Sequence, residues 1–189
     1  NFKSVAVGCG IGTEKDTEKF LLSLLELLKS TNISAVLDAD ALNILAKNNL
    51  SLSKNFIITP HPGEAARLLN LNTSLIQKDR YTSALMLSEK FKCISVLKGA
   101  LTIITDGKTL AVNSTGNPYL ATAGSGDVLT GIISACLAQG LEPFKAAMCA
   151  VYAHGLAGDI AFRDKKGFLI ANDIIEYLPL ALPKEDITL

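Results

Sequence analysis

Four short apolar runs, Ser4–Val7, Ala35–Leu37, Phe56–Ile58 and Ile94–Leu97, each break into a polar loop, and after the first three a stretch with helical spacing of apolar residues follows. Runs this short and this apolar, bounded by turn residues and alternating with helix-length segments, predict strands covered on both faces. Parallel neighbours need a crossover between them, and the intervening helical segments supply it. The expected fold class is therefore α/β, a mostly parallel sheet sandwiched between helices. The first crossover carries Phe20, Leu21, Leu24, Leu25 and Leu28 at helical spacing, with Thr13 as its expected cap. Asp40 is the expected cap of a helix over Ala41–Lys47, and another helix spans Asp79–Phe91. Thr102–Thr105 and Thr109–Val112 flank Asp106-Gly107-Lys108, a hairpin signal because Asp-Gly suits positive φ. Three further helices are expected at Asp127–Leu137, Pro143–Arg163 and about Asn172–Leu182, the last ended with help from Pro183.

The loops after these runs hold the chemistry, since open parallel sheets place their ligand sites at the carboxyl ends of strands. Gly8-Cys9-Gly10-Ile11-Gly12 is not the dinucleotide fingerprint, and reads either as a ligand loop or as a tight strand–helix turn. Asp38, Asp40 and Asn43 follow the second run, where they can cap a helix or support a ligand or a Mg²⁺-bound water. In Thr59-Pro60-His61-Pro62-Gly63-Glu64 two prolines fix the backbone, so His61 is presented rigidly as a ligand contact. Glu64 there is a first-turn helix residue that can also orient a metal-bound water. Lys98, at the end of the fourth run, can neutralise phosphate charge or simply stand solvated.

The richest stretch is 113–140, a glycine-punctuated loop opening into an apolar helix. Thr122, Gly124, Ser125 and Gly126 are small enough for backbone N–H groups to approach an anion, and the helix start aims its positive end there. Asp127 is the odd residue. A carboxylate beside a phosphate repels it unless it does chemistry or holds a metal, so Asp127 reads as a base, the alternative being a first-turn residue favoured by the helix dipole. His154, among small residues of the next helix, reads as a core or interface histidine.

Composition narrows the function classes. The 189 residues suit one domain, and 49% hydrophobic residues with a mean hydropathy of +0.33 exclude a disordered chain. Eighteen basic and eighteen acidic residues cancel, with no basic stripe or aromatic platform, which argues against nucleic acid. Cys9, Cys93, Cys136 and Cys149 form no CxxC pair and read as free buried thiols of a reducing compartment, hence the cytoplasm. No apolar run is long enough to span a membrane. The start at Asn1, without Met, gives the expectation that an amino-terminal segment is missing.

Four motifs in order, VLDADALN (36–43), TPHPGEA (59–65), LKGALTIITDG (97–107) and GNPYLATAGSGDVLTGIISACLAQG (116–140), resemble the ADP-dependent NAD(P)H-hydrate dehydratase family of the ribokinase-like superfamily. The resemblance covers essentially the whole chain. It implies a three-layer α/β/α ribokinase-like domain over 1–189, truncated at its amino terminus, that turns (6S)-NADHX or NADPHX back into NADH or NADPH with ADP, or ATP, as phosphoryl donor and Mg²⁺ as cofactor. By motif, Asp127 is the catalytic base, and Gly10, His61 and Asp127 contact the hydrated nucleotide. Lys98, Gly99, Ala100, Leu101 and Thr102 hold the adenine nucleotide together with Gly126, beside the amides of Gly124 and Ser125, and Glu64 organises Mg²⁺ through water. Asp38, Asp40 and Asn43 are candidates to support this site. The resemblance also implies a homo-oligomer, a tetramer, and an epimerase domain fused to the enzyme or working with it. Gly8-Cys9-Gly10 departs from the family's usual GPG, and Ala123-Gly124-Ser125-Gly126 from Gly-Gly-Thr-Gly. Whether a chain lacking its leading segment is active alone stays open. Two other readings stay open at this stage: an ATP-dependent kinase of a small hydroxylated metabolite, and a nucleotide-binding module without turnover.

Overall fold

A computed structural model describes residues 2–48 and 50–182. Its centre is a six-stranded sheet whose spatial order follows the chain: β1 (Ser4–Val7), β2 (Ser34–Leu37), β3 (Phe56–Ile58), β4 (Ile94–Leu97), β5 (Ile103–Thr105) and β6 (Leu110–Val112). β1 to β4 pair in parallel, and β5 and β6 complete the sheet antiparallel to their neighbours. The hairpin over Asp106-Gly107-Lys108 is as expected, with Gly107 at φ +89.

The alternation along each strand sorts its side chains into two cores. Ala35, Leu37, Phe56, Ile58, Leu97 and Ile103 face one side, where they meet α1 (Lys15–Lys29), α2 (Asp40–Lys47), α3 (Pro62–Leu69), α4 (Thr73–Lys78) and α5 (Arg80–Phe91). Val36, Ile57, Ile94, Val96 and Ile104 face the other, against α6 (Ser125–Ala138) and α7 (Pro143–Lys165). α8 (Ala171–Ala181) packs on α7 and α6 through Ile174 and Ala181. The crossover helices thus line one face and the helices after the hairpin line the other. This is why the central strands are buried at nearly every position and mostly apolar, Ser95 and Thr105 being buried polar exceptions.

Several local expectations are corrected. Thr13 does not cap α1: the residue at its N-cap is Glu14, and no side chain caps it. Asp40 lies inside α2, behind an Ala39 N-cap at φ +49, and its carboxylate bonds elsewhere. α6 starts at Ser125, two residues before Asp127. α4 and a 3-10 turn at Pro118–Leu120 arise in stretches without a clear apolar period. α8 continues past an internal Pro179, and Pro183 lies outside the described residues. The four cysteines are free, but only Cys93 is buried, and Cys149 is exposed. Among the described residues no helix is long and apolar enough to cross a membrane.

Candidate active site

Because β1 to β4 run in parallel, their carboxyl ends deliver Gly8–Gly12, Asp38–Asp40, Thr59–Glu64 and Lys98–Thr102 to one edge of the sheet. α6 packs on β1 and β2 with its amino terminus, and so its first-turn N–H groups, at that same edge. Ser4 Oγ ties β1 to α6 by donating to the Ser134 carbonyl oxygen at 2.9 Å. The chain enters α6 through Gly124 at φ +83, a conformation that a side chain would strain. Gly8, at φ +132, comes closer still: a Cβ there would lie 1.8 Å from the Asp38 carbonyl oxygen.

The loop before α6 is mounted on α7. A Cβ at Gly155 would meet the Thr115 backbone at 2.8–2.9 Å, so that position admits only glycine, and one at Gly158 would press on the Leu120 side chain at 2.4 Å. Asp159 accepts hydrogen bonds from the Gly116 amide and from Asn117 Nδ2, each at 2.9 Å. His154 is buried beneath the first turn of α6, its Nε2 donating to the Ser125 carbonyl at 3.0 Å with Ser125 Oγ at 3.2 Å. A carbonyl can only accept, which places the proton of this neutral ring on Nε2, and burial pushes the His154 pKa down. The structure thus makes His154 the buried support of the turn into α6.

Asp38 is the centre of the charged groups. Its carboxylate is 2% exposed and accepts from Lys98 Nζ at 2.9 Å and from Thr130 Oγ1 at 3.0 Å. Lys98 Nζ also lies 4.0 Å from Glu64 Oε2. That oxygen accepts the His61 amide at 2.8 Å, while Glu64 Oε1 stands 3.5 Å from His61 Nε2. His61 is the N-cap of α3, and its Nδ1 accepts the Gly63 amide at 3.0 Å, which leaves the ring proton on Nε2, facing Glu64. Burial, with Lys98 and Arg67 nearby, holds the His61 pKa below its ordinary value against the opposing pull of Glu64. A Cβ on Gly126 would stand 3.2 Å from Lys98 Nζ and 3.4 Å from Asp38 Oδ2, so α6 meets this cluster with a bare backbone.

Asp127 is exposed on the first turn of α6, and ligand atoms of Cys9, Asp38 and Asp127 lie within 4.8 Å of one another. Burial, then the Asp127 and Asp38 carboxylates, push the Cys9 thiol up to about 12, with Lys98 opposing. At pH 8 a thiol of that kind is about one part in ten thousand thiolate. Alkylation with iodoacetamide followed by peptide mapping should therefore label exposed Cys149 first and leave Cys9 largely untouched; rapid labelling of Cys9 would contradict this environment.

Of the residues singled out in the sequence, Cys9, Asp38, His61, Glu64, Lys98, Gly126 and Asp127 come together. Gly10 is exposed at the rim with open space beside it. Asp40 and Asn43 form a separate chain: Asp40 accepts from the Gly12 amide at 3.0 Å and from Asn43 Nδ2 at 3.4 Å, and Asn43 accepts from Arg67 Nε at 3.0 Å. They brace the loops without reaching the cluster. Gly99, Ala100 and Leu101 form an exposed turn that Thr102 Oγ1 closes by donating to the Gly99 carbonyl at 3.0 Å. Sequence reasoning missed Arg80, whose guanidinium donates to the carbonyls of Leu97 at 3.1 Å, Lys98 at 3.3 Å and Ala100, clamping this turn. Nothing local marks Arg80. Thr130, also missed, was within reach, since it stands three residues after Asp127 on an apolar helix.

The model of the NAD(P)H-hydrate dehydratase family matches residues 1–180. The chain is 42% identical over 184 residues to the bifunctional NAD(P)H-hydrate repair enzyme of Moorella thermoacetica, covering 94% of this chain and 34% of that protein. It is 45% identical over 160 residues to the ADP-dependent (S)-NAD(P)H-hydrate dehydratase of Neisseria meningitidis, covering 82% of this chain and 53% of that protein. Among solved structures, the ADP/ATP-dependent NAD(P)H-hydrate dehydratase of Bacillus subtilis, co-crystallized with ATP/Mg²⁺ and soaked with CoA, superposes with a TM-score of 0.83 at 29% identity, covering 95% of this chain and 65% of that one. The chain therefore spans about a third to a half of the length of these curated relatives. With the family model matched over almost its whole length and the motif residues gathered at one edge of the sheet, the chain belongs to the NAD(P)H-hydrate dehydratase family.

Proposed function

We propose that this chain dehydrates (6S)-NADHX or NADPHX to NADH or NADPH, using ADP or ATP as phosphoryl donor. The observation that carries the reading is the exposed Asp127 carboxylate on the first turn of α6, beside the side-chain-free backbone of Gly124 and Gly126. An acid at an anion-binding helix start is electrostatically awkward unless it takes a proton there. In the proposed reaction Asp127 removes the proton of the C6 hydroxyl, and that oxygen attacks the terminal phosphorus as the remaining nucleotide leaves. The phosphate ester then eliminates: the C–O bond breaks, a proton leaves the neighbouring ring carbon, and the double bond re-forms. Phosphoryl transfer asks mainly for positioning and charge stabilisation, which the Gly124, Ser125 and Gly126 amides at the helix start can provide.

The backbone of Lys98 and the turn Gly99–Thr102, with Gly126, would hold the adenine nucleotide, the Arg80 clamp fixing that turn. Gly10 and His61 would hold the hydrated nicotinamide part. Mg²⁺ keeps most of its waters and takes one or two carboxylates beside phosphates. The donor set fits that pattern: the Glu64 carboxylate is already engaged with His61, and so would reach Mg²⁺ only through water. When bound, Mg²⁺ would neutralise phosphate charge. The reading includes a single domain, a cytoplasmic setting, self-association as a tetramer and an epimerase partner, in keeping with the bifunctional name of the longer Moorella relative.

The test is to add (6S)-NADPHX, Mg²⁺ and either ADP or ATP to this chain, and to the same chain within a polypeptide of its relatives' length, following the near-ultraviolet absorbance of the reduced nicotinamide. A rise is expected, and the faster nucleotide names the donor. No rise from either polypeptide with either nucleotide would sink the reading.

A further inference from the structure

We propose that Lys98 is a positioning residue that couples the nucleotide turn to the hydrate-side loop, acting through Asp38 and Glu64 and not as a phosphate ligand. The inference rests on the function proposed above, because it takes His61 as a hydrate contact and Gly126 as a nucleotide contact. A lysine at a strand end beside a phosphate turn is ordinarily free to reach an anion. Here the side chain is 20% exposed and its ammonium is 2.9 Å from Asp38 Oδ1 and 4.0 Å from Glu64 Oε2. One positive charge faces two carboxylates, so the pocket around Nζ presents net negative charge to an incoming phosphate. Attraction of the phosphate is left to the backbone amides and the positive end of α6.

What Lys98 does instead follows from its partners. Asp38 is tied to α6 by Thr130 at 3.0 Å, and the Gly126 backbone lies against Lys98 Nζ. Glu64 holds the His61 amide at 2.8 Å and faces the His61 ring at 3.5 Å. The ammonium therefore stands between two carboxylates, each of which fixes one half of the site. Without it, two buried carboxylates at the same cluster repel, and Glu64, on the short helix α3, is the one free to shift and take His61 with it.

The experiment is isothermal titration calorimetry of the wild-type chain, Lys98→Met, Glu64→Gln and the double variant with ADP and, separately, with (6S)-NADPHX. Lys98→Met is expected to weaken NADPHX binding about tenfold and ADP binding less than about threefold, and the double variant to lose less than the product of the two single losses. Glu64→Gln keeps an acceptor for the His61 amide and sits on α3, outside the Gly99–Thr102 turn, so it reports in the same direction should Lys98→Met fold poorly. Loss of ADP binding by tenfold or more with NADPHX binding kept would make Lys98 a phosphate ligand and overturn the proposal, as would independent effects of the two substitutions. A wild-type chain that binds both ligands and shows this coupling, while neither it nor the longer polypeptide forms reduced cofactor, would sink the proposed function and leave this assignment standing. Turnover with independent effects would do the reverse.

Discussion

Asp127→Asn is expected to lower kcat by about 10²–10⁴-fold with ADP binding unchanged or slightly tighter. Asparagine keeps the size and an acceptor of the native side chain but cannot take the hydroxyl proton, so the loss isolates proton transfer from shape. The substitution also removes a negative charge at the start of α6, where the nucleotide phosphates are proposed to sit, and that favours the bound anion. Stability should fall by no more than about 1 kcal/mol, the usual worth of a first-turn acid against the helix dipole on an exposed position. Initial rates at varied ADP and NADPHX, set beside a thermal melt, separate these effects. A variant that keeps its rate within a few-fold would remove Asp127 from the chemistry. A variant that loses ADP binding along with its rate would make it a ligand of the nucleotide or its metal.

The strands were legible in the sequence because four of them are covered on both faces, and burial on both faces leaves an unbroken apolar run such as Phe56–Ile58 with turn residues at its ends. Local rules failed where a distant partner outbid a near one. Asp40 has the chemistry of a helix cap, yet its carboxylate serves the Gly12 amide, which comes from the preceding crossover. Short α4 carries too few apolar positions to declare a period, only Ile76 of it being buried. The site divides in the same way. Strand ends nominate Asp38, His61, Lys98 and their neighbours one by one, because parallel strands must deliver their carboxyl ends to one edge. Who pairs with whom is not local information: Asp38 and Lys98 are 60 residues apart and Asp38 and Thr130 are 92 apart. Reading Lys98 singly leaves it neutralising a phosphate or standing solvated, and only the folded chain shows its ammonium paired with the buried Asp38 carboxylate. Cys149 shows the limit for composition, since a thiol in an apolar helical pattern was expected inside and stands exposed on α7.

Asp38→Ala should cost about 3 kcal/mol of folding stability, because it leaves the partly buried Lys98 ammonium and the buried Thr130 hydroxyl without their main partner. The lower end of the range for broken buried pairs applies, since Lys98 is 20% exposed and water can reach part of the released charge. In a chain of 189 residues this corresponds to a fall in Tm of roughly 6–12 °C. The informative companion is the double variant Asp38→Ala with Lys98→Met. Taking two charges out of water offsets much of their mutual attraction, so removing both is expected to recover most of the loss, whereas a truncation that only opened a cavity would stay unrepaired. Chemical denaturation of the wild-type, single and double variants measures this directly, and an unchanged m-value would show that the same cooperative unit is unfolding. A single variant within about 1 kcal/mol of wild type would mean that the pair is already solvated and that Asp38 does not organise the edge of the sheet. Recovered stability in the double variant with turnover still absent would separate the two uses of the pair: the fold needs only that the buried charges cancel, while the site needs this carboxylate and this ammonium to hold α6 and α3 in register.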